Sequence, residues 1–318
     1  MYKPIVLHGH ERPITKIKYN RDCDLIFTCA KNSEANVWYS YNGERLGSYH
    51  GHSGVIWCLD VDWRTDALLT GSGDSSWRLW SVETGTCINS VETNNPVRSC
   101  GFSYCGNLFF VTTDEVIGRH CEVMVYDKRD DSHMLGKSNV FLQQLPEKEK
   151  ITVAAFGPND ETIICGHENG SVTQLDATCG EFLKKTKPHS NMVTDIQMYP
   201  DLTMFATGSK DRTAKLIGSY DLDVFQTYLA ERPINSAAIS PTRNYVLIGG
   251  GQEAKEVTTT HTKEGGFDAR IYHLFYGEEF ARVKCHFGPI NSVSFTIDGN
   301  GCVFYVKLSL LHIGNFLK

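Results

Sequence analysis

Apolar residues recur along this chain in a spaced triplet rather than in steady alternation. The clearest example is Ile56, Leu59 and Val61, which reads as a strand with one buried face. Triplets open at Ile14, Ile56, Val97, Ile151, Val193, Ile234 and Ile290, in steps of 42, 41, 54, 42, 41 and 56 residues. Radially stacked units of four strands repeat about every 40–45 residues. Around Ile56 the whole unit is legible. Residues 68–72 form a small-residue strand, Gly73-Asp74 a tight turn, and Trp80 ends a third strand. Thr84-Gly85 marks the next turn, and residues 87–91 supply an outer strand. Closing such units into a ring limits exposed sheet edges. The expected fold is therefore all-β, a seven-bladed β-propeller in a single domain over residues 1–318, with repeats starting near residues 10, 52, 93, 147, 189, 230 and 286.

The second unit also carries Gly51-His52 ahead of its triplet, and with Asp74 and Trp80 this resembles a WD40 repeat. In that family a histidine, a Ser/Thr hydroxyl, the turn aspartate and the strand-end tryptophan form a hydrogen-bonded network inside the blade. His52, Asp74 and Trp80 match three positions, and Thr70 and Ser72 are both candidates for the hydroxyl. A buried histidine and carboxylate are tolerable only when paired. The first repeat has His10 and Trp38 but Asn32 at the turn, and the fifth has His189 and Asp211 but Ile217 in place of tryptophan. The third and fourth lack the Gly-His turn.

Composition narrows the function classes. The net charge of −6 argues against a general phosphate-backbone binder, which carries a basic excess, so no direct sequence-specific nucleic-acid binding is expected. No apolar stretch reaches the about 18–20 residues a membrane helix needs, and no secretory core follows Met1-Tyr2-Lys3-Pro4. The eleven cysteines include no CxxC pair. Cys23, Cys58, Cys100 and Cys165 lie in or beside strand-like runs, as small hydrophobes do. The expectation is a cytoplasmic protein with reduced thiols, no membrane contact, no metal and no cofactor.

Several strings resemble chemistry and are better explained by the repeat. Gly250-Gly251-Gln252 is the tripeptide with which peptide-release factors hydrolyse peptidyl-tRNA, but here it ends a strand. Gly71-Ser72-Gly73 lacks the helix N-terminus a phosphate loop needs. Asn169-Gly170-Ser171 matches a glycosylation sequon and reads as a turn. His189 and Asp211 could be a base and its orienter, yet the same pair stands at the same place in the second repeat. Residues 146–150 read as a solvated charged connection. No enzyme emerges.

Two repeats are long, the third through residues 113–120 and 127–132 and the sixth through Gln252 to Phe267. Insertions of this kind form surface loops. The sixth-repeat sequence 249–260 with Gly265-Gly266-Phe267-Asp268-Ala269-Arg270, then 278–284 and 286–293, is similar to the i-subunit family of eukaryotic translation initiation factor 3. Residues 1–15 and 208–216 agree, and the likeness covers residues 1–299. The resemblance implies a non-catalytic scaffold that binds the b and g subunits of the factor. Through that complex it supports recruitment of mRNA and initiator tRNA to the small ribosomal subunit. It places the b-subunit contact along blades five and six, at Asp211, Arg212, Lys215, Glu231, Arg232 and Asn235. The alternative is another WD40 adaptor, in signalling or ubiquitin-ligase substrate recognition; it has no reason to carry the sixth-repeat insertion.

After Gly299 the sequence departs from the family pattern. Asn300-Gly301 is a good hairpin turn, and a strand beginning at Cys302 is expected, but no second tight turn follows. Residues 300–318 read as an atypical tail, and the last blade is expected to be incomplete, with closure by a strand at about residues 3–7 compromised.

Overall fold

The computed structural model describes residues 5–7, 9–116, 118–145, 150–251, 268–283, 288–299, 301–306 and 310–315; positions 6, 303–306 and 310–315 are described by their backbone. Its strands pair into seven four-stranded antiparallel sheets. Six are built from strands consecutive in sequence, and we number them blades one to six: residues 14–50, 56–92, 97–144, 151–186, 193–229 and 234–283. The seventh joins Ile290–Phe295, Gly301–Val306 and Leu310–Asn315 to Ile5–Leu7 from the other end of the chain.

The expectation of an unfinished last blade is thereby corrected. Leu310–Asn315 pairs with Gly301–Val306 along its whole length, and Ile5–Leu7 pairs with it in turn through Ile5↔Ile313, Val6↔His312 and Leu7↔Leu311. Only three C-terminal strands are needed because the outermost is supplied from the N-terminus. The innermost strands of successive blades touch in order, and Ile290–Phe295 touches Ile14–Tyr19, which closes the ring.

The core lies between blades. One cluster packs Phe27, Val37 and Tyr49 of blade one against Ile56, Leu59, Leu68 and Trp80 of blade two. Another joins Leu247 and Ile271 of blade six to Ile290, Val293 and Cys302. Each sheet buries its faces only against its neighbours, so stability is a sum of such interfaces.

All seven innermost strands share one irregularity. The ladder to the second strand shifts register between Ile14 and Lys16, Ile56 and Cys58, Val97 and Ser99, Ile151 and Val153, Val193 and Asp195, Ile234 and Ser236, and Ile290 and Ser292. A β-bulge leaves one residue out of the ladder and re-aims its side chain. It also explains why the apolar triplet is spaced three and then two.

In the third repeat, Val116 and Arg119 form an isolated bridge. Asp130 caps the short helix Asp131–Met134, whose Met134 is buried. The sixth-repeat insertion, Gln252 to Phe267, and residues 146–149 of the charged connection lie outside the described residues.

Candidate functional site

The blade network forms as the residue types require. In blade two, His52 Nδ1 lies 3.0 Å from Asp74 Oδ2 and Nε2 2.8 Å from Thr70 Oγ1, and Trp80 Nε1 donates to the same hydroxyl at 2.8 Å. Thr70 is therefore the network hydroxyl; Ser72 instead accepts from the Asp74 amide at 3.2 Å. Asp74 also accepts from the Ser53 and Ser76 amides and from the Ser76 hydroxyl. Although burial opposes ionisation, these hydrogen bonds hold Asp74 down at about 2. Burial lowers His52, so the neutral ring donates from Nδ1 to the carboxylate and accepts the Thr70 proton at Nε2.

Blade five repeats this with His189, Asp211 and Thr207 at 3.0 and 2.8 Å, while buried Ile217 removes the tryptophan donor. In blade one, His10 and Trp38 each meet Thr28 Oγ1 at 2.8 Å. With asparagine at the turn, burial pushes His10 down to about 4. Blade four holds a pair not anticipated from the sequence, His167 Nε2 to Thr173 Oγ1 at 2.7 Å. These histidines and aspartates are structural, as their repetition in the sequence indicates.

A second system also escaped the sequence reading. The bulged residue of an innermost strand reaches the next blade and donates to the carbonyl of its first apolar residue. Thr15 bonds Ile56 O at 2.6 Å, Thr152 bonds Val193 O at 2.5 Å and Thr194 bonds Ile234 O at 2.9 Å. Asn235 bonds Ile290 O at 2.9 Å, and Asn291 bonds Ile14 O at 3.1 Å across the closing seam. A parallel set accepts amides of the next blade: Asp60 from Phe102, Ser99 from Ala154, Ser236 from Val293 and Ser292 from Ile17. The available signal was a hydrogen-bonding residue directly after the first apolar residue of five triplets.

The innermost strands surround an axial cavity of about 660 Å³. Lys16 of blade one reaches Asp195 of blade five across it at 2.6 Å. Asp195 also accepts from Gln197 at 2.9 Å and from the Ser236 hydroxyl. Among the described residues no cluster of His, Cys, Asp and Glu is arranged to hold a metal. Burial pushes the Cys29 thiol up to about 12, and no helix among the described residues is long and apolar enough to cross a membrane. Gly250 ends the strand Tyr245–Gly250, where a Cβ would collide with the Pro233 carbonyl; Gln252 lies outside the described residues. The glycine thus has a packing reason.

The outer side of blades five and six differs from this interior. Phe225 and Leu229 of the outer strand Val224–Leu229 are 61% and 73% exposed, and Tyr276 in the next blade is 75% exposed. Phe275 and Phe280 are exposed nearby. Gln226 joins the two blades by donating to Phe275 O at 2.6 Å, and Tyr272 donates to Leu229 O at 2.9 Å. Glu231 pairs with Arg270 at 2.8 Å and with Arg282 at 3.8 Å, and Arg282 pairs with Glu279.

The six residues expected at a partner surface fall into two groups. Asp211 is held in its blade network, Lys215 donates to Pro188 O at 2.6 Å, and Asn235 stitches blade six to the seventh sheet. Arg212, in a left-handed turn conformation, and Glu231 are exposed, and Arg232 is half-buried beside them.

The family model for EIF3I matches residues 2–305. Subunit I of eukaryotic translation initiation factor 3 from Homo sapiens is 53% identical over 298 residues, covering 93% of this chain and 91% of its own length. The subunit from Rattus norvegicus matches equally. That from Bombyx mori is 51% identical over 315 residues, covering 99% of this chain and 95% of its own; this match extends well past residue 299. In architecture the chain is similar to the β-propeller domain of Cps50 (Swd1) from Myceliophteria thermophila. That likeness has a TM-score of 0.80 and 13% identity, with 98% and 99% of the two chains covered, and supports the WD40-like propeller fold alone. With the family model spanning nearly all of the sequence and half of its residues shared with these relatives, the chain belongs to the family of subunit I of eukaryotic translation initiation factor 3, a non-enzymatic component of translation initiation.

Proposed function

We propose that the protein is a scaffold of the initiation factor 3 complex in the cytoplasm. It binds a helical segment of the b subunit along the outer side of blades five and six and also engages the g subunit. Through the assembled complex it supports recruitment of mRNA and initiator tRNA to the small ribosomal subunit. The observation that carries this reading is the exposure of Phe225, Leu229, Tyr276 and Phe280 on blades five and six, whose strands also carry the ion pairs of Arg270 and Arg282 with Glu231. An amphipathic helix docks its apolar face on exposed apolar side chains with charged residues around them, and a few aromatic anchors carry most of the affinity of an interface. Arg212, Glu231 and Arg232 are charged residues of this surface. Asp211, Lys215 and Asn235 act in this reading by holding its geometry.

The test is co-purification of tagged protein with the b and g subunits from cell lysate. The double variant Leu229→Asp, Phe280→Asp is expected to lose the b subunit while keeping the wild-type melting temperature, since both side chains are exposed. Retention of the b subunit by that variant would count against the surface, and absence of both subunits from the wild-type eluate against the scaffold role.

A further inference from the structure

The inter-blade stitch is missing at two bulges, and they are consecutive. Blades two and three carry Trp57 and Arg98 where the others carry Thr15, Thr152, Thr194, Asn235 and Asn291. Neither side chain bonds the next blade. Instead the Arg98 guanidinium sits 4.8 Å from the Trp57 ring centroid, and the Lys31 ammonium approaches the same ring at 5.7 Å. All three line the axial cavity at the end where the innermost strands begin.

Two like charges at one indole repel each other, and a carboxylate between them would relieve that repulsion. Here, among the described residues, neither Lys31 nor Arg98 has an acidic partner, whereas Lys16, Lys18, Lys128 and Lys150 all do. The Trp57 Nε1–H also has no acceptor among the described residues. It faces Gly73, where a Cβ would lie only 3.2 Å away. Both seams still hold through the Asp60–Phe102 and Ser99–Ala154 bonds. A repeat protein that drops its own rule where the fold does not require it marks a place shaped for something else.

We propose that Lys31, Trp57 and Arg98 form a binding site at the mouth of the channel for an acidic peptide segment, one of whose carboxylates lies between the two cations and accepts from the indole N–H. Charge-assisted bonds from Arg and Lys to a carboxylate are among the stronger polar contacts, and the indole face holds both cations in place. A nucleic-acid strand fits the site less well. A phosphate backbone is gripped by many cations in series, whereas Lys31 and Arg98 supply two at one indole, enough for a single carboxylate. The site is independent of the outer surface of blades five and six.

The probe is fluorescein-labelled hexaglutamate, followed by fluorescence anisotropy at low salt, with a labelled thymidine oligonucleotide run alongside. Wild type is expected to bind the peptide. Lys31→Ala with Arg98→Ala is expected to weaken binding at least about tenfold, as is Trp57→Thr. Trp57→Thr can donate to Val97 O as Thr15 does to Ile56 O, so its melting temperature should equal or exceed that of wild type. Arg21→Ala is the control. Arg21 stacks on Trp63 at 4.5 Å, at the opposite end of the innermost strands, and its loss should leave binding unchanged. Failure of wild type to bind the peptide overturns the proposal, as does equal weakening by Arg21→Ala. Oligonucleotide binding that depends on Lys31 and Arg98 while peptide binding does not would overturn it in favour of a nucleic-acid site.

Discussion

Replacing Thr70 by valine keeps the shape of a fully buried side chain and removes only its hydroxyl. That hydroxyl sits between two ring nitrogens, Trp80 Nε1 and His52 Nε2, both at 2.8 Å. The substitution strands a buried indole donor and a buried imidazole acceptor together. Each unsatisfied group costs about 1–3 kcal/mol, so the expected loss for the two is about 2–6 kcal/mol. Blades one and five supply internal comparisons. Thr28 makes the same two contacts with Trp38 and His10, but His10 Nε2 also lies 3.2 Å from the Asn36 side-chain amide, so Thr28→Val should strand mainly the indole and cost less than Thr70→Val. Thr207 meets a single ring nitrogen, that of His189, because Ile217 replaces the tryptophan; its other contact is with the Lys215 carbonyl. Thr207→Val should therefore cost about half as much. Urea denaturation followed by fluorescence gives the ranking, and the Trp80 indole N–H resonance reports the bond directly. An unchanged indole resonance in Thr70→Val, or equal destabilisation by Thr70→Val and Thr207→Val, would refute the directional relay from tryptophan through threonine to histidine.

Acid should act early through His10. Its folded pKa of about 4 lies below the ordinary 6.5, so the unfolded chain takes up this proton first and stability falls as pH drops from 6.5 towards 4, by up to about 3 kcal/mol. The urea midpoint measured across that window should fall, and His10→Asn should flatten the slope; a midpoint constant from pH 7 to 4 would contradict the burial argument. Asp74 adds a loss in the same direction only as pH falls below its ordinary 3.8 towards about 2. Deleting residues 310–318 removes the strand that links Ile5–Leu7 to the seventh sheet. The truncated chain should melt earlier and self-associate through the exposed edge of Gly301–Val306, visible as a concentration-dependent rise in mass by light scattering. A truncated chain that stays monomeric with wild-type melting would place closure entirely in the Asn291 and Ser292 seam bonds.

The sequence pattern disclosed most of the architecture because the repeat presents the same solution many times. Ile56, Leu59 and Val61 face one core, and three members of the blade-two network, His52, Asp74 and Trp80, were legible from their spacing. Its hydroxyl could not be chosen from sequence, since Thr70 and Ser72 are two residues apart on one strand and share a face. The seam residues were hidden for a related reason. A bulge breaks alternation, so Thr15 or Asn291 reads as a polar interruption rather than as a side chain aimed at the next blade. The tail was misjudged because no Gly, Asn or Pro marks a turn in the sequence between Gly301–Val306 and Leu310–Asn315; the closing strand near residues 3–7 was expected, but its partner Leu310–Asn315 carried no turn signal to announce it. At the partner surface, the family resemblance pointed to Asp211 and Lys215, which the fold uses internally. The exposed Phe225 and Leu229 drew no attention in an outer strand with no polar alternation to mark its open face, nor did Tyr276 in a turn of the next blade.

The bulge shared by the seven innermost strands has a consequence for how such a ring can diversify. Because the bulged residue stands outside its own ladder, its identity does not set strand register, blade spacing or the buried triplet. Each blade therefore offers one interchangeable port on the same rim. A short hydrogen-bonding side chain there fastens the port to its neighbour, and a large aromatic or cationic one opens it to solvent. With seven ports and additional amide bonds holding the seams below them, a few can be opened while the ring stays shut. Blades two and three, with Trp57 and Arg98, are the two that stand open.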